Sequence, residues 1–77
     1  MNNIIDYELD CTGLFCPLPL LKTIKALKKI KSGRILKVYS SDPDSMYDIP
    51  SWISKSRNKL IDHKELDGVF HFLIEKE

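Results

Sequence analysis

The order of apolar and polar positions divides the chain into short segments of two different periods. In "IIDYELD", residues 4–10, Ile5, Tyr7 and Leu9 alternate with Asp6, Glu8 and Asp10, the period-two pattern of a half-buried strand. From Leu20 the period lengthens. Leu20, Leu21, Ile24, Leu27 and Ile30 fall on one face at helical spacing, and lysines take the other. "KSG" closes this helix, Gly33 being suited to the left-handed position past its last turn. "RILKVYS", residues 34–40, carries the β-branched and aromatic residues of a strand. Strand, helix and strand therefore follow one another as a βαβ unit, which predicts parallel strands.

"SDPDS", residues 41–45, is turn chemistry, after which Met46, Ile49, Trp52 and Ile53 predict a second, shorter helix. Ser45 and Asp48 are placed to form its capping pair. Pro50 is expected near the first turn, since deeper in the helix it would remove a hydrogen bond. "KLIDHKEL" and "VFHFLIEK" flank Asp67-Gly68, the dipeptide of a two-residue hairpin. That hairpin pairs Lys64 with His71 and His63 with Phe72, which puts the two histidines on opposite faces and gives neither a catalytic role. The order is β-α-β-α-β-β. Both helices are amphipathic on one side only, so the expected fold is α+β: a two-layer α/β sandwich in which two helices cover one face of a four-stranded mixed sheet. No repeat, low-complexity run or linker divides the 77 residues, so residues 1–77 are read as one domain.

Composition narrows the chemistry. "MNNIIDYELD" lacks the basic start and apolar run of a secretory leader, and no stretch approaches the about 18 apolar residues of a membrane span. A cytoplasmic protein without a membrane partner is expected. Two cysteines, Cys11 and Cys16, are too few for the disulfide framework of a small secreted domain, and no Cys/His cluster is spaced for zinc. No cofactor is called for. The net charge is only +1, yet Lys22, Lys25, Lys28, Lys29, Lys31, Arg34 and Lys37 follow one another with no acid between Cys11 and Ser41. Such a run serves as a solvated helix face, as a docking surface for an acidic protein, or as a nucleic-acid contact. A sequence pI near 7.8 disfavours the last.

Cys16 stands in "GLFCPLPLLK" between a glycine turn and the lysine-rich helix. It is expected to be the N-cap, with Pro17 at the first helical position. Pro17 and Pro19 lack N–H groups, so Cys16 and Leu18 retain the free donors of this helix end. The positive helix end and the lysines are expected to lower the Cys16 pKa moderately. Leu14, Phe15, Leu18 and Leu20 form an apolar collar. No histidine, acid or amide adjoins Cys16 in sequence, which argues against hydrolysis. Sulfur–sulfur exchange needs only thiolate formation, so a lone cysteine suffices for carrying a sulfane sulfur or for thiol–disulfide exchange. Cys11 is expected to be a small buried hydrophobe, with a resolving role for Cys16 as the alternative.

"LDCTGLFCPLPLLKTIKALKKIKSG", then "SDPDSMYDIPSW", then a closing hairpin resemble the TusA/SirA-like sulfur-carrier family along the whole chain. The family's Asp, Gly and Cys-Pro-X-Pro signature stands here as Asp10, Gly13 and Cys16 to Pro19, joined to Asp42-Pro43, Asp48-Ile49-Pro50 and Trp52. The resemblance implies the same sandwich and a sulfurtransferase-class carrier. In it, Cys16 receives a persulfide from a cysteine desulfurase or rhodanese-like donor and passes it to an acceptor protein, for tRNA 2-thiouridine or other sulfur metabolism. Where many relatives have glycine after the second helix, this chain has Arg57-Asn58, which leaves Asn58 to supply a left-handed cap. Two rivals remain at this stage: a small RNA-binding or regulatory module, which would not need Cys16, and a redox protein cycling a Cys11–Cys16 disulfide.

Overall fold

The computed structural model describes residues 4–77; Met1 to Asn3, part of the stretch read for a leader, lie outside the described residues. Six elements follow in the expected order: β1 (Tyr7–Cys11), α1 (Leu18–Lys29), β2 (Ile35–Ser40), α2 (Ser45–Lys55), β3 (Lys59–Leu66) and β4 (Val69–Glu75). They build one four-stranded sheet in the order β1-β2-β4-β3, parallel between β1 and β2 and antiparallel elsewhere. Both helices lie on one face, so the fold is the two-layer sandwich the periodicities predict. No helix among the described residues is long and apolar enough to cross a membrane.

The core sits between the layers. Leu36 and Val38 of β2 and Phe72 and Ile74 of β4 meet Leu27 of α1 and Ile49 and Ile53 of α2, with Cys11 at the end of β1. All are nearly or fully inaccessible to water, and this burial is the main stabilising contribution. The α1 stripe is narrower than its sequence implies. Pro19, Thr23 and Leu27 are buried while Leu21 is exposed. Thr23 is tolerated there because its hydroxyl donates to the Pro19 carbonyl at 2.7 Å. Along β1 the alternation holds, but β1 is an edge strand. Tyr7 stays exposed, and only Leu9 and Cys11 reach the helix layer.

At the tight hairpin, Asp67 and Gly68 both take positive φ, 50° and 80°, as a turn matching the right-handed strand twist requires. Lys64 pairs with His71 and His63 with Phe72, as expected, and the register slips between Leu60 and Asp62. Three expectations for α2 fail. Ser45 does not cap α2: its hydroxyl turns inward to Ser40 at 2.6 Å, and Asp44 takes the N-cap position without a side-chain bond. Pro50 lies inside α2, beyond its first turn, and the helix gives up that donor. Asn58 is not left-handed; the α2 end is closed by Ser56, whose N–H and hydroxyl both donate to the Ile53 carbonyl. Gly33 does take positive φ, but in a separate turn, because α1 already ends at Lys29 with an extended Ile30.

Candidate functional site

The parallel pair β1 and β2 delivers two loops to one end of the sheet, the end where open α/β sheets place their sites. The loop after β1 carries Thr12 to Pro17, and the loop after β2 carries Ser41 to Asp44. Gly13, at φ 83°, turns the first loop back so that its N–H donates to the Ser41 hydroxyl at 2.8 Å. The Leu14 N–H returns to the Cys11 carbonyl. Asp42 completes the junction. Almost wholly buried, it accepts the Cys16 N–H on one carboxylate oxygen at 2.5 Å and the Asp44 N–H on the other at 3.2 Å. Behind it, the Ser40 hydroxyl accepts the Asp42 N–H and bonds Ser45.

Cys16 is therefore fixed by its backbone and exposed by its side chain. It is not the N-cap. The Cys16–Pro17 bond is cis, Pro17 occupies the cap position, and α1 starts at Leu18 with Pro19 next. Both donors expected to face the sulfur are already used: the Cys16 N–H by Asp42 and the Leu18 N–H by the Phe15 carbonyl.

What the sulfur meets instead is an acid. The Cys16 thiol donates to Asp48 Oδ2 at 3.1 Å, from the first turn of α2. The thiol pKa is pushed up to about 11, first by that hydrogen bond, then by desolvation and by the negative charges of Asp48, Asp44 and Asp42. The expected lowering is overturned for two physical reasons. The two N–H donors expected to face the sulfur are already spent, and three carboxylates act on a sulfur whose ionised form they repel.

The lysines lie elsewhere. Lys22, Lys25 and Lys29 line a shallow groove between α1 and the β1 edge with Leu9 and Ala26. The charge of Lys22 is felt at Cys11 rather than Cys16. The apolar collar also divides: Leu14 and Leu20 pack against the core, while Phe15 and Leu18 remain exposed. Leu21 and Tyr47 add further exposed apolar surface on the two helices.

Cys11 is the small buried hydrophobe expected, with 0% of its surface accessible, and burial pushes its thiol pKa up. Both cysteines are free thiols. A resolving cysteine must be reachable, and Cys11 sits in the core. His71 lies on the open sheet face, its ring edge-on to Tyr39 at 4.9 Å, away from the helix layer and from Cys16.

Asp42 and Asp48 are the site residues that sequence reasoning misplaced, as a turn residue and a capping partner. Each stands in a short signature segment of its own, but only the fold brings residues 26 and 32 positions downstream of Cys16 onto its N–H and its sulfur.

The family model described as "Sulfurtransferase TusA" matches residues 7–76. The sulfur carrier protein TusA of Allochromatium vinosum is 45% identical over 71 residues, which cover 92% of this chain and 93% of that protein. The sulfur carrier protein TusA of Pseudomonas syringae is 33% identical over 76 residues, covering 99% and 90%. Among solved structures, a SirA-like protein from Desulfitobacterium hafniense superposes with a TM-score of 0.80 at 22% identity, over 90% of this chain and 95% of that one, a likeness of fold.

Proposed function

Because this chain belongs to the TusA sulfurtransferase family, we propose that it is a sulfur carrier holding a sulfane sulfur on Cys16 as a persulfide. The observation that carries this reading is the contrast between the two cysteines: Cys16 is exposed on a loop pinned by Asp42, and Cys11 is sealed in the core. A single accessible sulfur suits transfer chemistry that needs no resolving partner. The Cys16 thiolate attacks the outer sulfur of a donor persulfide, the donor's S–S bond breaks, and the donor cysteine leaves as a thiolate that takes up a proton. Cys16 is left as Cys16–S–SH. In the second half, an acceptor thiolate attacks that outer sulfur and Cys16 is regenerated. Neither half requires an external oxidant or reductant.

The donor is a cysteine desulfurase or rhodanese-like protein, and the acceptor is a second protein thiol on a route such as tRNA 2-thiouridine formation. Exposed Phe15 and Leu18 beside the sulfur supply apolar area for docking such proteins. Intact mass after incubation with a cysteine desulfurase and cysteine tests the proposal. The wild-type chain should gain one sulfur atom and Cys16→Ser none. A wild type left unmodified, where an established carrier is loaded in parallel, would refute it.

A further inference from the structure

A carrier built on one thiol faces a conflict. The sulfur must be exposed to be reached, and an exposed thiolate also reacts with whatever else it meets. In this chain the thiol donates its proton to Asp48 Oδ2, with sulfur and oxygen 3.1 Å apart. The only ion pair among the described residues joins Arg34 to Asp6, so the Asp48 carboxylate stands beside the sulfur without a cation to offset it. No cation of α1 offsets it either: the first charge on that helix is Lys22, at its fifth position, and its influence falls on Cys11. The remaining charges facing the sulfur are Asp42 and Asp44 from the loop before α2, and both oppose ionisation. Asp42 is committed to two backbone N–H groups, which leaves Asp48 as the carboxylate in direct contact with the thiol.

Resting on the carrier reading above, we propose that Asp48 is a positioning residue that keeps Cys16 protonated in the free carrier, and that ionisation awaits a cationic group of the donor pairing with the Asp48 carboxylate. An arginine or lysine side chain brought there by docking turns the local field from repelling the thiolate to tolerating it. The proton leaves Sγ as the nucleophile forms, and the donor's departing cysteine thiolate takes up one, so the transfer is proton-neutral overall. An acid serves here where a histidine would not, because a fixed negative charge makes the resting sulfur unreactive and gives a positive partner the means to reverse it. The lysine run then has no part in activating the sulfur.

The test is the pH dependence of Cys16 alkylation by iodoacetamide, a neutral reagent, in the full chain and in Asp48→Asn, which keeps the size of the side chain and removes its charge. Relief of the carboxylate lets the midpoint fall from about 11 toward 9.0. Desolvation, Asp44 and Asp42 remain in the variant, so the gain in rate stays below the roughly tenfold of a full return, in which a roughly 100-fold higher thiolate fraction near neutral pH is offset by a roughly six- to tenfold lower intrinsic nucleophilicity. A purely structural role for Asp48 would change melting behaviour without moving this midpoint. In a second arm, a short lysine oligopeptide should accelerate alkylation of the wild type and leave Asp48→Asn unaffected. A wild-type midpoint near 9.0, an unchanged midpoint in the variant, or equal acceleration of both proteins would overturn the proposal. The wild-type profile decides even if the variant fails to fold. Because none of these readings involves a persulfide, they stand or fall apart from the sulfur-loading experiment.

Discussion

Replacing Asp42 by alanine perturbs the joint between the two site loops. The carboxylate accepts the Cys16 N–H at 2.5 Å and the Asp44 N–H at 3.2 Å from an almost fully buried position. Hydrogen bonds to a charged group contribute about 1.5–3 kcal/mol each, and the longer of these two belongs at or below the bottom of that range. Alanine also leaves the Cys16 N–H to water or to nothing, so a net loss of about 2–3 kcal/mol follows. For a domain of this length each kcal/mol lowers the melting temperature by about 4–8 °C, which places the expected drop between about 10 and 20 °C. Thermal unfolding followed by circular dichroism measures it, and amide exchange at Cys16 should quicken in the same variant. Iodoacetamide should reach the loosened sulfur faster at neutral pH, since one of the three opposing charges has gone. A melting temperature within about 3 °C of wild type, with Cys16 exchange unchanged, would show that Asp42 does not hold the loop.

Cys11→Ala should still load sulfur, at a cost of about 1–1.5 kcal/mol for the emptied space, read as a lower melting temperature with an unaltered mass gain. Burial raises the Cys11 thiol pKa above 9.0, so the unfolded chain releases this proton first as pH rises. Stability contributed by Cys11 is then complete below pH 9.0 and lost above it, so chemical denaturation should show an alkaline decline that is shallower in Cys11→Ala. Reversing Lys22 and Lys25 to glutamate should leave the iodoacetamide rate of Cys16 within about twofold of wild type, because their groove opens beside β1; a clear fall would place those charges at the sulfur after all.

Local signals carried the architecture. Asp67-Gly68 set the hairpin, and the alternation around it set the pairing of Lys64 with His71. Leu27 and the parallel strand pair could likewise be read from spacing alone. Leu21 could not. On a helix entered through two prolines the buried stripe runs through Pro19, Thr23 and Leu27 instead, and a buried threonine is legible only once its bond to the Pro19 carbonyl is seen. Ser45 and Asp48 fit a capping pair in sequence, but Ser40 and Cys16 compete for the two side chains across the fold. The site shows the sharper limit. Cys16 was visible from its own neighbours, whereas the sign of its pKa shift depends on carboxylates that arrive from the other side of β2 and on N–H donors already spent.

At the opposite pole from Cys16, the Gly33 N–H donates to the Lys76 carbonyl, the Lys76 N–H to the Arg34 carbonyl, and the Ser32 hydroxyl to the Glu77 carbonyl. The ammonium of Lys76 reaches the Leu27 carbonyl, and the Glu77 N–H the Asn58 side chain. The run of six residues in β2 separates this seam from the sulfur by about 20 Å. A pull applied to Glu77 would travel into β4, a mid-sheet strand held by ladders on both sides, and would leave the Cys16 loop slack. A tether attached at Glu77, to a bead, a surface or a fused neighbour, would thus leave the sulfur facing outward.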